Sequence, residues 1–217
     1  MSLIKAVLFD LDGVIVDTSN HHFLAWKKLC LKFGHNLTET ENEFIKGLSR
    51  EESLIKIIDF ANLSFSEEKF NQYLIKKNCY YLDLINTISP NNILPGVKIF
   101  LKYLKKKSIK TSLCSSSKNA KLVLKKLDLI SFFDFIIDGN DIKMGKPNPE
   151  IFLTASKKLK TKPKNCLVFE DAQSGIDAAN KAGMVVFGIG NKNNLKNLEY
   201  CFTDFLKITD NLKNKFF

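Results

Sequence analysis

Two aspartates at the end of a short apolar run are the clearest chemical signal in the sequence. The apolar run 6–9 leads directly to Asp10 and Asp12, and Gly13 follows. Residues two apart at the exit of a strand project to the same side, so the two carboxylates lie close together. Like charges at that separation raise each other's pKa unless a cation intervenes. The pair therefore predicts a reactive site, with a simple turn cap as the alternative.

Three further polar clusters follow apolar runs later in the chain. They are the segment 115–119, the lysine Lys146, and the neighbouring acids Glu170 and Asp171. If the apolar runs are parallel strands, these clusters meet Asp10 and Asp12 at the carboxyl ends of one sheet. Up to four carboxylates around one point need a hard divalent cation, and Mg²⁺ accepts oxygen ligands while keeping waters for a phosphate.

The remaining polar residues are suited to an anion. A serine hydroxyl at Ser115 and the amides at the start of the following helix favour a phosphate. Lys146 would neutralise charge that develops on a phosphoryl group. Each signal has an ordinary alternative, because Ser117 is also a good helix N-cap and many Gly-Lys-Pro lysines lie in plain loops.

The elements that must position these residues alternate between strand and helix patterns. Strands are predicted at 3–9, 109–114, 135–137, 166–169 and 184–189, with helices at 96–106, from 115–119 to 127, 149–159 and 174–182. This alternation indicates an α/β fold, a doubly wound Rossmann-like parallel sheet. Only helices are predicted between residues 16 and 88, at 20–33, 38–46, 50–61 and 66–87. We therefore expect a core domain formed by 1–15 and 89–217 and an all-helical cap domain, 16–88, inserted after the first strand.

Composition places the chain among soluble, reducing-compartment proteins. Its 217 residues are 45% hydrophobic, yet no apolar run approaches the roughly 20 residues of a membrane span. The N-terminus has no signal-peptide pattern. Five widely spaced cysteines without a C-x-x-C pair argue against disulfides and thiolate metal sites. We expect a cytoplasmic protein without a membrane partner.

The net charge of +10 is local. Ten of the 33 basic residues lie between Lys98 and Lys126, a segment without an acid, so the other 23 bases balance the 23 acids. These lysines fit the solvated faces of two helices better than a nucleic-acid surface, which usually adds arginine forks or interleaved aromatic residues. Arg50 is the only arginine in the chain. It indicates either a site that needs a planar, bidentate donor or a surface residue kept by chance.

Four of these motifs, taken in order, resemble those of the haloacid dehalogenase superfamily of phosphotransferases. The motifs are 10–14 (Asp-Leu-Asp-Gly-Val), Ser115, Lys146 and 170–171, and they span the whole chain. The longer stretches 9–18, 46–53, 115–119 and 170–176 further resemble the sugar phosphate mutases of that superfamily. The resemblance implies interconversion of β-D-glucose 1-phosphate and glucose 6-phosphate through an aspartyl-phosphate enzyme and a glucose 1,6-bisphosphate intermediate.

The same resemblance implies roles for individual core residues. Asp10 would be the nucleophile, and Asp12 the general acid and base. Asp10, the backbone carbonyl of Asp12 and Asp171 would hold Mg²⁺, with Glu170 beside them. The residues implied to bind phosphate are Ser115, Lys146 and, from the cap, Arg50.

The sugar site and the closed cap would be formed by a larger set. These residues are Thr18, His22, Trp26, Lys46, Gly47, Leu48, Ser49, Ser53, Lys77, Ser116, Ser117, Lys118 and Asn119. Trp26 fits a helix core equally well, and only register distinguishes His22 and Lys77 from their neighbours His21 and Lys76.

Two other functions stay open at this point. A phosphatase acting on a small sugar phosphate would share the core motifs, because only the cap stretch 46–53 and residues 117–119 carry a mutase signal. A nucleic-acid-binding protein would use the basic segment, but the intact acids argue against it. We expect a monomeric enzyme whose partner is a small sugar phosphate.

Overall fold

The computed structural model describes residues 4–198, 200–208 and 210–216 of the chain. Within these residues the core is one six-stranded sheet in the order β3-β2-β1-β4-β5-β6, and every neighbouring pair is parallel. The strands are β1 Ala6–Phe9, β2 Lys110–Cys114, β3 Phe135–Ile137, β4 Cys166–Glu170, β5 Val185–Ile189 and β6 Tyr200–Phe202. This order is that of the doubly wound fold, so the predicted fold class is confirmed.

Both faces of the sheet are buried, as the near-continuous apolar strands require. The helices of the chain are α1 Ser19–Cys30, α2 Glu39–Ile45, α3 Arg50–Phe60, α4 Glu67–Leu84, α5 Val97–Lys106, α6 Ala120–Lys126, α7 Glu150–Lys158, α8 Gln173–Lys181 and α9 Asp210–Phe216. Val7 and Phe9 of β1 belong to the hydrophobic cluster that includes α5, α6 and α9. Ala6 and Leu8 belong to the opposite cluster, which includes α7 and α8. The central strand is therefore fixed from both sides.

The helices α1 to α4 form their own hydrophobic cluster, which includes Trp26, Leu29, Leu54 and Ile57. Helix α3 begins at the predicted N-cap: the Ser49 hydroxyl accepts from the backbone N–H of the third helical residue, and the capping box is complete. The predicted helical content of this segment is confirmed.

The C-terminal part of the helical segment packs on the main sheet. Tyr81 and Ile85 are fully buried in the same cluster as Phe9. Val16 also makes an isolated bridge to Ile93 beyond the segment. The helical segment is thus anchored to the core at both ends, and its description as a separate domain, 16–88, stays a prediction.

Several element bounds differ from the sequence expectation. Strand β1 begins at Ala6, and Leu3 of the expected strand lies outside the described residues. Strand β6 and helix α9 were not predicted from the sequence; both are short, at three and seven residues. No helix in the described part of the chain combines the length and apolar character needed to cross a bilayer.

The aromatic core under the sheet yields a stability prediction. Phe100 of α5 is 2% exposed, and its ring centroid lies 5.4 Å from those of both Phe169 and Phe205. Phe100→Ala is expected to lower the free energy of unfolding by about 3–5 kcal/mol, the usual cost of emptying a buried phenylalanine site. Urea unfolding measures it, and Phe44→Ala is the control because Phe44 is 63% exposed. Equal losses in the two variants would contradict this description of the core.

Candidate active site

The carboxyl ends of three adjacent strands bring the first catalytic candidates together. Phe9 pairs in register with Leu113 of β2 and with Phe169 of β4. Asp10 follows Phe9 directly, and Glu170 follows Phe169. The parallel register therefore places the two acids side by side where the strand order reverses, which is the usual ligand position in this fold.

Lys146 is the fully buried cation among these acids. Its Nζ lies 2.5 Å from Asp10 Oδ1, donates a very short hydrogen bond to Glu170, and donates to the carbonyl of Cys114 at 3.1 Å. Burial opposes the charge of Lys146, but Asp10 and Glu170 outweigh burial and raise its pKa. The ammonium group stays charged.

Three acids form the cluster that is suited to a metal ion. Carboxylate oxygens of Asp10, Glu170 and Asp171 all lie within 4.8 Å of one another. Burial raises the pKa of Glu170 to about 8 and that of Asp171 to about 7, against the attraction of nearby lysines. A side chain at Gly175 would collide with the carboxylate of Glu170, so the backbone is shaped around this acid. The oxygen-only donor set fits a hard divalent cation.

The carboxylate of Asp12 lies apart from that cluster, which corrects the expectation that four carboxylates converge. It accepts a very short hydrogen bond from the Thr18 hydroxyl, and its Oδ1 lies 3.5 Å from His22 Nε2. Burial alone would raise the pKa of Asp12, but His22, Thr18 and Lys77 together hold it below its ordinary value. Asp12 therefore faces the helical segment as a charged base.

His22 and Lys77, and not their neighbours His21 and Lys76, line the cleft. Lys77 Nζ lies 2.7 Å from His22 Nδ1, and the Tyr81 ring stacks on His22 with centroids 3.9 Å apart. Lys77 Nζ also lies 4.9 Å from the centre of the Trp26 ring. Burial and the charge of Arg50 lower the pKa of Lys77 to about 7, although Asp12 opposes the shift.

The serine-rich segment 115–119 is a loop rather than the first turn of a helix. The Ser115 hydroxyl accepts from the N–H of Ser117 at 3.1 Å, and the Ser117 hydroxyl accepts from the N–H of Asn119 at 3.3 Å. Helix α6 begins only after it, at Ala120. The expected phosphate-facing amides are thus held by local side chains in this state.

A cleft joins the sheet edge to the helical segment. It is lined by Asp10, Asp12, Ser19, His22, Trp26, Asn42, Ile45, Lys46, Gly47, Leu48, Arg50, Ser53, Lys77, Ser116, Ser117, Lys118, Asn119 and Asp171. Most of the residues expected in the sugar site are in this set. The other predicted site residues do not line the cleft but contact residues of the site. They are Thr18, Ser49, Ser115, Lys146 and Glu170.

The lining also contains three residues that the sequence interpretation missed, namely Ser19, Asn42 and Ile45. Asn42 precedes Lys46 by four residues, a spacing that places two side chains on one face of a helix. This spacing from the predicted site residue Lys46 is the sequence signal from which Asn42 could have been predicted. Ser49 and Ser53 contact each other at the start of α3, where the Ser53 hydroxyl donates a hydrogen bond to the Ser49 carbonyl at 2.8 Å.

The loop before α3 is tied to the core at two carbonyl groups. The Ser116 hydroxyl donates to the Gly47 carbonyl at 2.8 Å, and the Ser174 hydroxyl donates to the Lys46 carbonyl at 2.9 Å. Gly47 has φ of +77°, and a Cβ there would lie 2.5 Å from Ser174 Oγ. The close approach and the left-handed backbone both require glycine at this position.

Two ion pairs cross between the helical segment and the core. Lys118 Nζ lies 2.6 Å from Glu51 Oε1, and Lys46 Nζ lies 2.9 Å from Asp171 Oδ2. Arg50 lies next to Glu51 at the start of α3, and its half-buried guanidinium lines the cleft. The helical segment is therefore closed over the acids in this structure.

The doubly wound sheet, with its acids and buried lysine under closed helices, defines an α/β enzyme with a helical cap. The family model described as haloacid dehalogenase-like hydrolase matches residues 7–189. The chain belongs to this family.

Individual relatives narrow the comparison. The chain is 43% identical to the β-phosphoglucomutase of Bacillus subtilis over 86% of this chain and 83% of that protein. It is 32% identical to a phosphorylated carbohydrates phosphatase of Thermotoga maritima, over 85% of each chain. The crystal structure of a β-phosphoglucomutase from Clostridium difficile superposes with a TM-score of 0.94 and 44% identity, covering 98% of this chain and 96% of that one.

Proposed function

We propose that this enzyme is a β-phosphoglucomutase, an isomerase that interconverts β-D-glucose 1-phosphate and glucose 6-phosphate. The observation that carries the proposal is the cleft itself, in which cap residues and core acids line one enclosed space. Similarity to two β-phosphoglucomutases over most of the chain supports the same activity.

The cleft offers cations for two phosphate groups. Arg50 and Lys118 line the cleft, whereas Lys146 is fully buried directly behind the lining residue Asp10. A substrate with a phosphate at each end of one sugar can use both places at once. We assign the phosphate that reacts to Lys146 and Ser115, and the distant one to Arg50.

Asp10 is the proposed nucleophile. It attacks phosphorus, the sugar oxygen leaves, and an aspartyl phosphate forms on the enzyme. Its position against Lys146 supports this role, because the ammonium group neutralises charge on the transferring oxygens.

Asp12 is the proposed acid and base. It takes the proton from the attacking sugar hydroxyl and returns it to the leaving oxygen in the opposite step. The lowered pKa of Asp12 keeps its carboxylate deprotonated and so able to accept a proton, and the contacts with Thr18 and His22 hold it toward the cap.

We assign Mg²⁺ to the cluster of Asp10, Glu170 and Asp171, with the backbone carbonyl of Asp12 as a further ligand. When bound, the ion supplies positive charge that offsets the negative charge of carboxylate and phosphate. The oxygen donor set of the cluster supports this assignment.

The cap is proposed to direct the phosphoryl group to sugar instead of water. Its loop is held to the core by the serine contacts at Lys46 and Gly47. A closed cleft excludes water from Asp10 until a sugar hydroxyl occupies it. The cleft is completed within one chain, which supports action as a monomer on a small sugar phosphate. All five cysteines are free, which supports a cytoplasmic location.

One assay separates the mutase from a phosphatase. With Mg²⁺ and a trace of glucose 1,6-bisphosphate, β-glucose 1-phosphate is expected to yield glucose 6-phosphate, while inorganic phosphate forms far more slowly. Coupled detection of glucose 6-phosphate and phosphate in one sample measures the ratio. Release of phosphate at a similar or higher rate would overturn the mutase proposal and favour the sugar phosphatase.

Arg50→Lys tests the assignment of the distant phosphate. Lysine keeps the charge but loses the bidentate fork, so kcat/KM for β-glucose 1-phosphate is expected to fall by about 5- to 150-fold, equivalent to about 1–3 kcal/mol. Lys56→Arg in the exposed part of α3 is the control and is expected to leave kcat/KM unchanged. If Arg50→Lys leaves kcat/KM unchanged, Arg50 does not bind the distant phosphate and is a surface residue.

The raised pKa values of Glu170 and Asp171 predict a pH dependence of metal binding. Their pKa values are about 8 and about 7, respectively, because burial disfavours the charged forms of the carboxyl groups. A metal ion binds the deprotonated forms, so affinity is full above pH 8 and is lost as pH falls through 7. The Kd for Mg²⁺ is expected to rise about tenfold or more between pH 8 and pH 6, measured by calorimetry. A Kd independent of pH across this range would contradict the assignment.

A further inference from the structure

Lys46 contacts the metal cluster from the cap. Its Nζ lies 2.9 Å from Asp171 Oδ2, and the Asp171 side chain is only 8% exposed. Lys146 already pairs with Asp10 and Glu170, so Lys46 supplies the positive charge nearest to the third acid. The ammonium group and a divalent cation would therefore compete for the same carboxylate.

A second cavity lies on the other side of this ion pair. It includes Asp17, Glu43 and Asp204, and it shares Ser19, Lys46 and Asp171 with the cleft. We call it the outer cavity. Lys46 is the only lysine or arginine among its lining residues within the described chain, and it lines both the cleft and the outer cavity.

One of the outer acids, Glu43, is close enough for its charge to act on Lys46. Glu43 lies three residues earlier, on the last turn of α2, and its side chain is exposed. The negative charge of Glu43 acts on Lys46 together with that of Asp171. A flexible four-carbon side chain can exchange between two carboxylates that line one cavity.

We propose that Lys46 is a displaceable counter-ion of Asp171, which moves toward Glu43 when a divalent cation binds. The inference rests on the proposed metal site. In the closed cleft Lys46 neutralises the buried Asp171 carboxylate. On metal binding the ammonium group leaves Asp171 for the outer cavity, so the affinity for metal is set by this exchange.

A double-mutant cycle on Mg²⁺ binding tests the proposal without any turnover. Lys46→Met removes the competitor and is expected to tighten Mg²⁺ binding by about three- to tenfold, since a like charge near the ion is lost. Glu43→Gln removes the second partner of Lys46 and is expected to weaken binding by about two- to fivefold. In the double variant the Glu43→Gln effect is expected to vanish, because its action passes through Lys46.

Calorimetric titration of the substrate-free enzyme with MgCl₂ at pH 8 gives all four constants. Glu39→Gln on the same helix is the control for net charge, and circular dichroism verifies that each variant is folded. A Glu43→Gln effect that persists in the Lys46→Met background, or no tightening in Lys46→Met, would overturn the role of Lys46. A wild-type enzyme that binds no Mg²⁺ would instead overturn the metal assignment.

Discussion

The buried ammonium group of Lys146 is the interaction on which the active site depends. Asp10 and Glu170 end adjacent strands, and burial would drive both carboxylates toward their neutral forms. Lys146 reaches both of them from a loop far along the chain and also donates to a backbone carbonyl. Removing one member of such a buried group would leave an uncompensated charge, which is a severe cost. The sheet can therefore hold acids at its edge only with this lysine in place.

The cap depends on a different kind of contact. Its own apolar cluster folds the helices, and Tyr81 and Ile85 pack in the core cluster, but the contacts of the loop before α3 with the core are polar. Hydrogen bonds and exposed ion pairs of this type contribute little net free energy each. Such a surface can separate and close again, as admission of the proposed sugar phosphate requires. A wholly apolar interface would have fixed the cap in one position.

The two parts of the site divide the charges between them. The core acids collect on the floor with Lys146, whereas Asp12 faces His22 and Lys77 of the cap. Two aspartates that are neighbours in sequence thus have different environments. Burial keeps the pKa of Asp10 high, and the cap groups keep that of Asp12 low. Because the pKa values of Asp10 and Asp12 are shifted in opposite directions, two aspartates of one backbone turn can serve as the proposed nucleophile and the proposed base.

The sequence by itself determined five of the six strands, their parallel direction and the strand-end positions of Asp10, Ser115 and Glu170, because apolar strands alternating with helices leave few topologies. The spacing of polar residues also predicted the capping box at Ser49. Only the tertiary structure decided that the Asp12 carboxylate turns away from the other acids, and that Lys46 pairs with Asp171. The physical reason is that both contacts depend on how the cap packs on the core: Asp12 is held by Thr18 and His22 of the cap, and Lys46 meets Asp171 from more than a hundred residues away. The local sequence pattern does not identify such partners, so only the tertiary structure placed Asn42 in the cleft and Glu43 in the outer cavity.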